Sequence, residues 1–225
     1  MINIDTVYQR VLALANKEQR GYITPLEFNL LANQAQLDIF EQYFYDINQF
    51  AVINDIGAEY SSALDTLEEK ISIFETSTNI VNGILPVNLY RLGTVIFLNN
   101  EVEQIEQKKY LYIISSPLTT PTNERPIYTR NGNIITAYGN NGNIITQPLT
   151  CNYVRLPHLV EWGYNVVVDK ALYNAGQSIN FELHNADETR LVIKILELAG
   201  IIINKPGLIS VAAQKEASKI QQEKS

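Results

Sequence analysis

Apolar and polar positions alternate between Gly21 and Phe50 in a way that predicts one long helix with its start signal written into it. Gly21 suits the end of a preceding helix, because left-handed backbone costs glycine little. Thr24, Pro25 and Glu27 then read as the N-cap, the first helical residue and the third, which is a capping box. From Phe28 onward, steps of 100° bring Leu31, Ala32, Ala35 and Ile39 onto one face, while Leu30, Leu37 and Phe44 recur every seventh residue on the far side. Asn29 with Gln36, and Gln34 with Asp38, form polar flanks between the two. A helix packed on a single core needs only one stripe. Two stripes predict a helix between two layers, the second open to another chain.

The remaining pattern sets the other elements. Val7, Val11, Leu14 and Ala15 give the inner face of a first helix, capped by Asp5 or Thr6 and running to about Arg20. Leu64 and Leu67 support a third helix over Tyr60 to Lys70. From residue 71 the texture changes to short β-favouring runs (ISIF, NIV, ILPV, TVIFL, VEQI) bounded by Asn, Gly and Pro. Lys108 to Ser115 reads as a short helix stopped by Ser116-Pro117 and the loop to Thr122. The hexapeptide NGNIIT occurs at 131–136 and again at 141–146. Both Asn-Gly pairs predict type I′ turns, so PIYTR, IITAY, IITQ and CNYVR are expected to form an antiparallel meander.

Trp162 to Val168 and Ser178 to Leu183 predict strands flanking a turn near Asn174-Ala175-Gly176. Asn185 with Glu188 predicts the start of a last helix, with Leu191, Val192, Ile195, Leu196 and Ala199 as its core face and Gly200 as its stop. A tail follows, whose thin stripe of Ile209, Ala212, Ala213, Ala217 and Ile220 would be marginal alone in water and is expected to dock. The fold class is therefore α+β: a helical unit at 1–70, an antiparallel β region at 71–184, and a C-terminal helix with a projecting tail at 185–225.

Charge narrows the partners. The net −7 is concentrated in residues 1–75, which hold twelve acids against Arg10, Lys17, Arg20 and Lys70. No segment forms a basic stripe able to release counterions from a phosphate backbone, so gripping of nucleic acid is disfavoured. An acidic wall suits a conduit for passing DNA. No apolar run reaches the roughly 20 residues that span a bilayer, and MINIDTVYQR, with Asp5 and no apolar core, does not read as a secretory signal. Cys151 is the single cysteine, which precludes an intrachain disulfide and fits folding in a reducing cytoplasm.

A search for chemistry returns little. His158 and His184 have no His or Cys at metal-ligand spacing, so neither a metal nor a cofactor is expected. Cys151 opens a β-rich segment, where a buried inert thiol is the commoner outcome than a nucleophile. Glu182 and His184 fall on the same side of a strand and are more readily explained as settling the junction at Asn185. Arg125, Arg130 and Arg155 read as ordinary solvated sheet arginines. No catalytic residue is assigned. The aromatic run Phe40, Tyr43, Phe44 and Tyr45 combines core positions with interface-favouring tyrosine. If a partner buries Leu30, Leu37 and Phe44 at about 1.5–3 kcal/mol each, the stripe yields on the order of 5–8 kcal/mol before association costs.

Four blocks carry a family resemblance: VYQRVLALANKEQRGYITPLEFNLLANQAQLDIFEQYFYDIN, SPLTTPTNERPIY, CNYVRLP and FELHNADETRLVIKILELAG. Together they resemble virion proteins of tailed bacteriophages, crAss-like phages in particular, over most of the chain and without an active-site signature. The resemblance implies a head-to-tail adaptor at the head–tail junction of the virion: a connector ring, usually twelve-fold, that surrounds the DNA channel. It also implies the portal protein and adjacent tail ring proteins as partners, with no membrane, and a C-terminal tail that docks on the portal. Interface residues on this expectation are Leu30, Leu37, Phe44, Tyr45, Ile209 and Ile220. Another tail ring or tail-hub protein is the nearest alternative, and a hydrolase using Glu182, His184 or Cys151 a more distant one.

Overall fold

The computed structural model describes residues 1–17, 23–52, 58–168 and 170–202, and the chain divides into two compact units. One joins Met1–Ile73 to the chain from Pro157 onward, and the other is Phe74–Leu156. The chain is α+β, as the patterning predicts. The three-part division at 70 and 184 is corrected, because the last helix and the segment before it share a core with the N-terminal helices. Among the described residues the helices are α1 (Ile4–Lys17), α2 (Pro25–Val52), α3 (Ala58–Ser72), α4 (Gln107–Ser115) and α5 (Glu188–Ile202). Gly21 and the tail, with Ile209 and Ile220, lie outside the described residues.

In the first unit, α1 is capped by Asn3, whose Oδ1 accepts from the Thr6 amide at 3.0 Å. The expected cap at Asp5 or Thr6 is thereby corrected: the Asp5 carboxylate instead accepts the Trp162 indole N–H at 2.9 Å. Val7, Val11 and Ala15 are buried, whereas Leu14 turns outward. The box at the start of α2 forms as read. Thr24 donates its amide and hydroxyl to Glu27 Oε2 at 2.9 and 2.8 Å, and the Glu27 amide returns to Thr24 Oγ1 at 3.3 Å. Phe28, Leu31, Ala32, Ala35, Ile39, Phe40 and Tyr43 fill the inner face of α2, and α5 packs against this helix. Leu191, Val192, Ile195, Leu196 and Ala199 of α5 are all buried, as its periodicity predicts. Its ends differ from expectation. His184, not Asn185, caps a 3₁₀ turn at Asn185–Asp187 that leads into α5, and the helix continues through Gly200 to Ile202.

An amide ladder ties α2 to the extended segment after Pro157. Asn29 Oδ1 accepts the Trp162 amide at 2.8 Å, and Asn33 takes the Val160 amide and gives to its carbonyl at 2.8 and 2.9 Å. Gln36 donates to the His158 carbonyl at 2.7 Å and accepts the Glu182 amide at 3.1 Å. Three or four helical residues advance about 4.5–6 Å along the axis. Two extended residues advance about 6.6 Å, so side chains at these spacings reach alternate strand residues. The helix flank thus stands in for a neighbouring strand. Val160 and Trp162 point inward and are buried, while Leu159 and Glu161 point outward.

The same segment continues into a two-stranded ribbon of β8 (Tyr164–Val167) and β9 (Lys170–Tyr173). Here the expected long strands are shortened. The chain turns at Val168, and Ser178–Leu183 makes only single bridges, Ile179 to Glu161 and Phe181 to Ile2. A buried polar link closes the unit: Lys70 Nζ lies 3.2 Å from Asp187 Oδ1, and the Tyr43 hydroxyl donates to Asp187 Oδ2 at 2.8 Å.

The second unit is built on β1 (Glu75–Ile80), β2 (Leu89–Phe97), β3 (Asn100–Glu101), β4 (Glu103–Gln104), β5 (Ile127–Asn131), β6 (Ile134–Tyr138) and β7 (Leu149–Arg155). Two sheets result, in the orders β1-β7-β2-β3 and β4-β5-β6. The expected meander is corrected at this point. β5 and β6 do form a hairpin, but only Gly132 of its two loop residues has positive φ, which is the signature of a type II′ turn. At the second NGNIIT both Asn141 and Gly142 have positive φ, yet they lie in a wider turn between Tyr138 and Ile144. CNYVR then leaves for the other sheet, where β7 is central with Leu149, Cys151 and Tyr153 buried. Gly83 shows why a glycine is needed beside β6. Its φ is +75°, and a Cβ there would lie 2.2 Å from the Ile135 carbonyl oxygen. Ile80, Leu85, Val95, Phe97, Val102, Tyr128 and Ile135 complete the apolar core.

Candidate functional site

The far-side stripe of α2 divides along its length. Leu30 is 68% exposed, Leu37 is half-buried, and Phe44 is buried at 5% with its ring 5.1 Å from that of Phe40. The assignment of Phe44 to a partner-facing surface is therefore corrected: it belongs to the chain's own core. A straight helix drifts about 20° per heptad against a seven-residue repeat, so the stripe rotates inward as it proceeds. Tyr45 remains exposed at 55% and meets the Gln49 amide at 2.6 Å. Leu26, one turn before Leu30, is 67% exposed and extends the outer surface toward the capping box.

The flank of Asn29 and Gln36 is also not a solvated border, since both engage the ladder. Sequence reasoning missed this use. The available signal was three amides at i, i+4 and i+7, Asn29, Asn33 and Gln36, on one side of a helix. At the box itself, hydrogen bonds from the Thr24 backbone and then its hydroxyl hold the Glu27 carboxyl below the usual range. That keeps a negative charge at the helix N-terminus, beside Leu26 and Leu30.

The reactive candidates do not converge. Glu182 is buried and faces His158 rather than His184: its Oε2 accepts the His158 amide at 2.9 Å, and its Oε1 lies 3.9 Å from Nε2 of that exposed ring. The His184 Nδ1 accepts the Ala186 amide at 3.2 Å, a capping role. Cys151 is fully buried, and desolvation pushes its thiol pKa up, away from a nucleophilic thiolate. Arg130 donates to the Gly132 carbonyl and Arg155 lies over the Phe74 ring, so the sheet arginines do not form a cluster. Among the described residues, no group of three or more His, Cys, Asp or Glu side chains is arranged to hold a metal ion. None of the described helices is long and apolar enough to cross a membrane.

The second unit holds a cleft of about 960 Å³ between Gly93–Val95, Asn100–Ile105 and Pro117–Tyr128. Its ionisable lining is Glu101, Glu103, Glu124, Arg125 and Tyr128. The Tyr128 hydroxyl donates to Gln104 Oε1 at 3.1 Å, and burial raises its pKa. Nothing there pairs a nucleophile with a base. Apolar exposure among the described residues includes the outer turns of α2, the β8–β9 ribbon, the turn after β1 with Val81, Ile84 and Val87, and α4 with its following loop, where Leu111, Tyr112 and Leu118 are 70–94% exposed. No protein-family model matches the chain, and no curated protein is similar to it.

Proposed function

We propose that the chain is a non-enzymatic structural subunit of a tailed-phage particle, assembling with copies of itself into a ring at the head–tail junction. The ring would join portal to tail and surround the DNA channel. The observation that carries this reading is the outer side of α2. Leu26 and Leu30 stay exposed there, although the inner face of the same helix is already filled. A rotationally repeated contact between two different patches closes copies into a ring. The resemblance of the sequence blocks set out above implies this kind of assembly, and such rings are usually twelve-fold. The acid excess of residues 1–75 supports a wall that passing DNA does not adhere to.

Light scattering followed by negative-stain imaging tests the reading. Annular particles, or capture of purified portal protein, are the expected outcome. A monodisperse monomer that leaves portal unbound counts against it. Replacing Leu26 and Leu30 with Ser should weaken assembly while leaving the thermal midpoint nearly unchanged; an equal loss of both would mean that these leucines serve the fold instead.

A further inference from the structure

Among the described residues, the β8–β9 ribbon is the sheet with no third strand. Three local rules are broken there together. A two-stranded ribbon is marginal by itself in water. Tyr164, Val166, Val167, Val168, Leu172 and Tyr173 are 36–89% exposed. By the register, Tyr164, Val166 and Tyr173 share one face and Val167 and Leu172 the other, so both faces of the ribbon carry exposed apolar side chains. Val168 also holds φ at 48°, where a β-branched side chain is a backbone outlier. Strain and apolar exposure at one place point to use.

The root of the ribbon is fixed. The Trp162 ring lies 4.4 Å from that of Tyr8, 5.7 Å from that of Tyr164 and 5.8 Å from that of Tyr173, while Asn29 holds the Trp162 backbone. The pairing runs from Tyr164 opposite Tyr173 to Val167 opposite Lys170, and the Asn174 amide donates to the Gly163 carbonyl at 2.9 Å. Antiparallel pairs alternate between bonded and non-bonded. The backbone groups of Tyr164 and Val166 therefore face outward on one edge, and those of Ala171 and Tyr173 on the other.

We infer that these two edges pair with each other between copies, β9 of one chain adding antiparallel to β8 of the next. The inference rests on the self-assembly reading above and names its contact. A second copy is the fitting occupant because one chain carries both edges, each four residues long. Head-to-tail pairing satisfies both edges in every copy, whereas two-fold pairing of β8 with β8 leaves each β9 open. Edge-to-edge pairing would bring exposed apolar side chains of both faces beside their counterparts in the next copy, toward the roughly 800 Å² per partner of a standard interface. Leu159, just before the ribbon root, is 76% exposed, and the amide ladder joins the Leu26–Leu30 turns of α2 to that root.

The test is native mass measurement on the full chain with Val166→Pro and Ala171→Pro, each removing one outward N–H and no bond within the ribbon. Circular dichroism and the thermal midpoint confirm that each variant is folded. The parent is expected to assemble beyond a dimer and each variant to remain monomeric. Since each variant retains the edge that the other lacks, an equimolar mixture should give dimers and nothing larger. A parent that assembles together with folded variants that assemble equally well overturns the ribbon contact and spares the ring reading. A parent that stops at a dimer overturns the head-to-tail pairing; a parent that stays monomeric overturns the ribbon contact, and overturns the ring reading as well only if it also leaves portal unbound.

Discussion

The two units are stabilised by different means. Gln36, Asp46, Lys70, Glu182, Asp187 and Arg190 are the buried polar and charged residues of the described chain, and all belong to the first unit. The core of the second is Ile80, Leu85, Val95, Phe97, Val102, Ile135 and their neighbours, where Cys151 and two tyrosine hydroxyls are the polar exceptions. Apolar burial is non-directional, so it drives collapse without choosing partners closely. A buried amide or ion pair has few acceptable mates, and an unmatched one is costly. The first unit must bring together segments distant in sequence, and it does so with links that accept few substitutes. The second satisfies its backbone through strand pairing, which leaves its interior free to be apolar.

The contrast can be broken most strongly at Asp187. Asp187→Ala leaves Lys70 buried without its counter-charge and should cost about 3–5 kcal/mol in denaturant unfolding. Replacing the group together, Lys70→Met with Asp187→Leu and Tyr43→Phe, should recover most of that loss; failure to recover would mean that the link is valued for more than charge compensation. In the second unit Phe97→Ala should cost about 3–4 kcal/mol through the cavity left behind, and Phe97→Leu far less. Asn33→Ala comes next. It leaves both polar groups of Val160 without their ladder partner and should cost about 2 kcal/mol, read by the same unfolding curves.

The smallest effect concerns acid. Glu27 is held below its unfolded pKa by the Thr24 hydrogen bonds, so its contribution is present above the unfolded value and fades as pH falls through the folded one. The parent should therefore lose a little stability on acidification that a Thr24→Ala chain, already weaker by about 1 kcal/mol, does not lose to the same extent. Parallel acid curves for the two chains would remove the cap from the account.

How much of this was legible in the sequence follows the same division. The box at Thr24–Glu27 and the inner faces of α2 and α5 could be read because they depend on neighbours within one or two turns. NGNIIT could not be read twice in the same way. Its first copy closes a hairpin, while the second ends in a wider turn whose next strand joins the other sheet. Strand partners are selected by distant residues and burial, and local turn chemistry does not settle them. The candidate surface on α2 was partly legible. Leu30 and Tyr45 are exposed as expected, but a seven-residue count overlooks the drift that carries Phe44 inward. The ribbon was hidden because VVV resembles an ordinary buried strand.

The discontinuous build of the first unit has a consequence for synthesis. A ribosome delivers α1, α2 and α3 long before Val160, Trp162 and α5, so Asn29, Asn33 and Gln36 wait without their mates while the whole stretch from Phe74 to Leu156 emerges. That middle stretch is continuous and can close on itself during the delay. The nascent chain therefore matures from the inside of its sequence outward, and its two flanks meet last.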